Sequence, residues 1–160
     1  MKIASITISA LSLLLVGCPS EKEKDITSLY AQEAVLQKGY KLGGTYILKR
    51  DLFVTKGDWP AYDFTKPGDG VPTVDEWRAG VRKPQFFKVI TLLPAGSKVS
   101  VEKIIYLKAS GSGVSHATGM LRAPGVELLI NPFFVSHFLS VSSYGTLCLP
   151  DEQFLQLSQP

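Results

Sequence analysis

Cysteine and histidine are scarce in this chain, with two of each among 160 residues. Neither pair has metal-ligand spacing. There is no Cys-x-x-Cys, and His116 and His137 stand far apart in strand-like sequence, so a zinc site would need assembly from distant residues. An excess of one charge is also lacking: 17 Lys and Arg face 14 Asp and Glu, for a formal charge of +3. Without clustered cations there is no nucleic-acid footprint, and no nucleic-acid partner is expected. Ser110-Gly111-Ser112-Gly113 is not a phosphate loop, because the lysine and following helix are missing. No cofactor is expected. After the first residues, no apolar run approaches the about 20 residues that span a bilayer as a helix.

Catalytic groups are equally thin. Asp75 and Glu76 are adjacent, so on a helix they point in different directions and make no general acid–base pair. A Cys148–His couple is conceivable, but Cys148 sits in the apolar stretch Thr146-Leu147-Cys148-Leu149. An activity is not expected, and neither is a metal.

What is present begins at the N-terminus. Lys2 precedes the apolar run Ile3–Val16, which closes on Leu15-Val16-Gly17-Cys18 and gives way to polar sequence. A positive start, a short apolar stretch and a small residue before the boundary form a secretory signal pattern. The motif resembles a bacterial lipobox. That resemblance implies cleavage before Cys18, a diacylglyceryl thioether on its sulfur and an acyl chain on its amine. Several chains give a stable anchor, so the membrane is an expected partner. In lipoproteins of this type an aspartate after the cysteine signals retention in the inner membrane. Pro19 and Ser20 stand here instead, which implies the outer membrane with the domain facing the periplasm. The thioether removes Cys18 from disulfide chemistry, and Cys148 is expected to pack as a small buried hydrophobe.

The division that follows is a signal peptide over 1–17, a segment over 18–44 and a β-domain over 45–160. Residues 19–27 read as a charged tether, and Ser28–Lys38 as a short helix with Ser28 as N-cap and Gly39 after its end. From Thr45 the pattern turns to strands. Thr45–Val54 is broken by Lys49-Arg50-Asp51, and Phe86–Leu93 ends at Pro94-Ala95-Gly96-Ser97. Val99–Leu107 loses its alternation at Ile104-Ile105, which implies a bulge or burial on both faces. Further strands are expected over Val114–Ala123, Val126–Ile130, Phe133–Val141 and Thr146–Leu149, with a last helical turn or strand over Asp151–Leu157. Short strands with close turn signals imply an antiparallel all-β barrel or sandwich, and closure would remove open edges.

Thr45–Val54, followed by Val89-Ile90-Thr91-Leu92-Leu93-Pro94-Ala95-Gly96-Ser97-Lys98-Val99-Ser100-Val101, resembles bacterial SH3-like domains. The resemblance implies a small antiparallel barrel with a long inserted loop. In cell-wall peptidases that carry such domains the cysteine precedes the histidine, whereas both histidines here precede Cys148.

The loop Lys56–Pro84 is far longer than the about 4–6 residues of an ordinary connection. It carries Trp59, Tyr62, Phe64 and Trp77, with Asp75 and Glu76 beside them, and Thr73-Val74-Asp75-Glu76 matches a capping box. Aromatic anchors rimmed by charge suit a protein-binding surface, or they pin the loop to the domain. Trp59, Tyr62, Phe64, Asp75, Glu76 and Trp77 are the candidate partner-binding residues. The expected function is a non-catalytic envelope lipoprotein that binds another envelope or incoming toxin protein, as immunity, exclusion and inhibitor proteins do. The alternative is a peptidoglycan-binding or structural component of the envelope or a secretion system. Ala109–Ala117 also resembles the serine-glycine loop of lipoprotein lysozyme inhibitors, without the tyrosine, tryptophan and basic residues expected around it.

Overall fold

The computed structural model describes residues 23–56, 61–81, 87–108 and 115–158. In chain order the strands are β1 (Glu23–Asp25), β2 (Thr45–Leu48), β3 (Leu52–Lys56), β4 (Tyr62–Thr65), β5 (Lys88–Leu93), β6 (Lys98–Lys108), β7 (Ser115–Arg122), β8 (Ile130–Asn131), β9 (Ser136–Val141), β10 (Gly145–Pro150) and β11 (Leu155–Leu157). One helix, α1 (Val74–Arg78), precedes β5, and 3-10 turns cover Thr27–Leu29, Leu36–Lys38 and Phe133–Val135. The protein is all-β. The expected hairpin at Ser110–Gly113 lies outside the described residues, as do residues 1–22 with Cys18.

The spine is the long antiparallel pair β6–β7, in register from Ser100 opposite Arg122 to Lys108 opposite Ser115. Val101 faces Leu121 but Lys103 faces Met120, so Glu102 is an extra residue in β6. This bulge shifts the phase so that Ile104 joins Val99 and Val101 in the main core, while Ile105 and Leu107 are buried with Met120 in a second cluster on the other face. Beyond the spine the sheet branches. β2 and β1 share the outer edge of β6, while β8 and the parallel strand β10 share that of β7. The path ends at β11 on one side and β5 on the other, and does not close.

One corner sets the curvature. β2 pairs β6, and β3 pairs β5, in one register that runs through the corner and shifts only after Val54: Thr45 faces Ser100 before the corner and Leu52 faces Leu93 after it. Lys49-Arg50-Asp51 and Pro94-Ala95-Gly96-Ser97 are therefore the two sides of one bend in one ribbon. Leu48 N donates to Ser97 O at 2.9 Å, and Gly96 N donates to Leu48 O at 2.7 Å. Gly96 has φ +86, a left-handed conformation that a side chain would resist. Asp51 Oδ1 accepts from Ala95 N at 2.8 Å, while Oδ2 faces Arg78 at 3.5 Å.

Three expectations are corrected. The Lys56–Pro84 stretch is not one loop, because β4 lies within it, between β3 and β8. All four β4 residues are buried, and the Thr55 and Thr65 hydroxyls meet at 2.8 Å. The continuous helix over Ser28–Lys38 is replaced by two 3-10 turns. Its sequence is short for an isolated helix, and tertiary burial of Ile26, Leu36 and Tyr40 dictates the path instead. Residues Glu23–Asp25 of the expected tether pair with Ile105–Leu107, and Ile26 N donates to Ile104 O at 3.0 Å. An available strand edge thus orders a segment too polar to order itself.

Tyr40 ties this N-terminal segment to the spine. It is 1% exposed, and a Cβ on Gly119 of β7 would meet its Cβ at 2.5 Å. Only glycine leaves room for that approach. Ser136 Oγ donates to Pro132 O at 2.7 Å, so the Tyr40 hydroxyl donates to Ser136 Oγ at 2.8 Å.

The corner generates a stability prediction. Asp51→Ala removes the acceptor for Ala95 N and is expected to cost about 1–2 kcal/mol in urea unfolding. Arg78→Ala removes only an exposed ion pair and is expected to cost less than about 0.5 kcal/mol. Equal losses would move the stabilising role from the backbone contact to the salt bridge.

Candidate functional site: an uncharged aromatic edge

The expected aromatic loop separates into a buried part and an exposed part. Phe64 is fully buried and Tyr62 is 8% exposed, both in β4, so neither is available to a partner in this fold. β4 is buried on both faces between β3 and β8, which makes them core. Trp59 lies outside the described residues. Asp75, Glu76 and Trp77 are on α1, where the capping box forms as the sequence implied. Glu76 N donates to Thr73 Oγ1 at 3.3 Å, and Thr73 N donates to Glu76 Oε2 at 3.0 Å. Trp77 is 36% exposed and meets the buried Phe53 edge-on, with ring centroids 5.5 Å apart. It pins α1 to the core with one side and leaves the other open. Asp75 is exposed beside it, and Glu76 is half-buried in its cap.

The larger exposed apolar surface is elsewhere, on β9 and the turn before it. Phe138 is 51% exposed, Phe134 45% and Leu139 37%. Phe133 joins them, its ring centroid 4.9 Å from Phe138 and 5.5 Å from Phe134. Among the described residues β9 pairs with β10 alone, from Val141 opposite Gly145 to Ser136 opposite Pro150. Its other edge is unpaired among the described residues. Most of its side chains are exposed on both faces. Between Glu127 and Asp151 the sequence contains no Asp, Glu, Lys or Arg. Proteins normally guard such an edge with lysine, proline or a bulge, and none of these guards β9.

Both histidines adjoin this surface. His116 in β7 is 5% exposed, stacks on Phe133 at 4.7 Å, and finds no hydrogen-bond partner for either ring nitrogen among the described residues. Burial pushes its pKa down to about 4, so it is neutral at physiological pH. His137 is on β9 itself, with Nε2 3.4 Å from Asp151 Oδ1. Cys148 lies opposite Phe138 in the β9–β10 ladder and is fully buried. Burial pushes its thiol up to about 12, which leaves almost no thiolate for nucleophilic attack. Among the described residues no three His, Cys, Asp or Glu side chains gather as a metal site.

The sequence carried one signal for this edge. Phe133, Phe134, Val135, Phe138, Leu139 and Val141 fall on both parities, a pattern that reads as burial on both faces. The fold provides no second layer there, so the apolar residues remain in solvent. Comparisons with protein-family models, curated proteins and solved structures find no match.

Asp63, 8% exposed in β4, is the other perturbed group, its pKa pushed up to about 6 by burial. Its folded-state pKa exceeds the ordinary 3.8, so the stability it contributes is present at low pH and falls as pH rises between 3.8 and about 6. His116 acts oppositely. Its depressed value means stability is lost as pH falls from 6.5 toward about 4. The two slopes oppose and offset each other where they overlap. Asp63→Asn removes one slope. It is expected to gain up to about 3 kcal/mol at pH 7, and little at pH 4, in urea unfolding. No gain at neutral pH would refute the burial argument.

Proposed function

We propose that the chain is a non-catalytic lipoprotein, anchored through Cys18 in the outer membrane, whose β-domain binds another protein along the edge of β9. The observation that carries this reading is the combination of Phe138, 51% exposed, with an unpaired strand edge in an uncharged stretch. A free edge offers backbone donors and acceptors to an incoming strand, and phenylalanines offer apolar anchors beside them. The partner is another envelope protein or an incoming toxin, and the activity is of the immunity, exclusion or inhibitor kind. Trp77, Asp75 and Glu76 on α1 form a second, smaller contact. The lipobox at Leu15–Cys18 supports the anchor, and Pro19-Ser20 supports the outer membrane. The bent ribbon, with Pro94–Ser97 at its corner, supports a distant likeness to SH3-like domains despite the open sheet.

The test is capture of partners from envelope extracts. Phe138→Lys combined with Leu139→Lys is expected to weaken a captured partner's binding by about 2 kcal/mol or more, since a desolvated aromatic anchor is replaced by a charge. Both side chains are half-exposed, so folding is expected to lose no more than about 1–2 kcal/mol, and urea unfolding of the variant separates that loss from lost binding. Trp77→Ala is expected to matter less. Undiminished binding in the double-lysine variant removes β9 from the interface. Sedimentation of the purified domain with peptidoglycan alone, unaffected by these substitutions, would favour the wall-binding alternative instead.

A further inference from the structure

We propose that the face formed by β1, the end of β6 and the β9–β10 turn lies against the membrane headgroups, with Lys24 and Lys108 meeting anionic lipid. The inference rests on the proposed lipidation of Cys18. Whatever path residues 19–22 take, Cys18 and Glu23 are five residues apart and separated by at most about 18 Å. Glu23 is in β1, opposite Leu107 near the end of β6. The anchor therefore draws this end of the sheet, and no other, to the bilayer surface.

The chemistry of that end fits the occupant. Lys24 stands opposite Tyr106, and alternation puts Lys108 on the same face. A groove of about 270 Å³ there is lined by Lys24, Leu29, Tyr106, Lys108, Ser143 and Tyr144. Tyr106 and Tyr144 meet edge-on at 6.4 Å. Lysines beside tyrosines are the composition of a headgroup-facing surface, where cations meet phosphate and aromatic rings sit in the interface. Alternation turns the neighbouring acids away: Glu23 pairs Lys103 at 2.9 Å, and Asp25 accepts from Thr27 N at 2.9 Å. Glu33, whose charge reaches the Tyr144 hydroxyl, is the carboxylate that acts on this side. Lys24 and Lys108 have no ion-pair partner among the described residues.

The opposite end supplies a control. β6 runs from the corner to Lys108, about 33 Å along the strand at about 3.3 Å per residue. α1 is tied to the corner by Arg78 and Asp51, so Asp75 marks the end remote from the anchor.

Full-length lipidated chain carrying either Ser143→Cys or Asp75→Cys is reconstituted into phosphatidylglycerol-rich vesicles and treated with a membrane-impermeant maleimide. Both positions are exposed, so each variant is expected to fold, and the buried Cys148 is not labelled. Ser143→Cys is expected to react about tenfold more slowly than Asp75→Cys, an effect of the size that one or two lysine–headgroup contacts produce. Adding Lys24→Glu and Lys108→Glu is expected to bring the two rates together. Equal rates in the anchored chain with both lysines intact overturn the orientation while anchoring stands. A chain that stays in the aqueous phase, as the Cys18→Ala control is expected to, overturns both.

Discussion

The bend shared by β2–β3 and β5–β6 is the constraint on which the rest of the structure depends. Two strands that keep one register through a corner must turn together, because slipping either by one residue would swap its buried and exposed faces. Leu48, Leu52 and Leu93 are buried on either side of it, so the bend cannot relax without exposing core. Asp51 caps it by accepting from Ala95 N, and Gly96 supplies the left-handed residue. Everything downstream inherits the resulting curvature. β4 can enter beside β3, and the start of β6 is aimed so that its remaining length pairs with β7.

The same bend divides the sheet into two arms. β3 and β5 turn away from the β6–β7 spine, and β8, only two residues long, is what links β4 to β7. The other half of β7 is taken by β10, which brings β9 with it as an outer strand. β9 is therefore placed beyond the reach of the core that its apolar sequence suits. Packing on one side is satisfied by Phe133 against His116, and the remaining side chains have no layer above them.

What was legible in the sequence was whatever depended on neighbours in the chain. The capping box at Thr73–Glu76, the Pro94–Ser97 turn, the disturbed alternation before Ile104-Ile105 and the apolar setting of Cys148 all rest on local chemistry, and all are found. What was hidden depended on partners distant in the chain. Tyr62–Thr65 is too short and too polar, with Asp63 in its middle, to announce a central strand. Its burial comes from β3 and β8. Glu23–Asp25 has the composition of a tether and becomes a strand because β6 has a vacant edge. Ser28–Lys38 has helical composition, yet the burial of Leu36 and Tyr40 imposes tighter turns. The exposed face of β9 was the hardest to foresee, because a two-sided apolar strand means burial unless the fold withholds the second layer.

An open sheet must manage its edges, and the outer strands here do so unequally. β1 carries Glu23, Lys24 and Asp25, one charge at each position, which discourages any further strand from joining it. β5 begins at Lys88, and β11 is only three residues long. β9 has six residues and no Asp, Glu, Lys or Arg among them, and the ring of its histidine turns to Asp151. Protection is present where pairing would be harmful and missing from one strand. β9 lies on a branch, joined to the sheet through β10, so its outer edge is free whatever becomes of the path's ends at β11 and β5. The branch that β10 makes from β7 is thus the condition for the proposed binding edge.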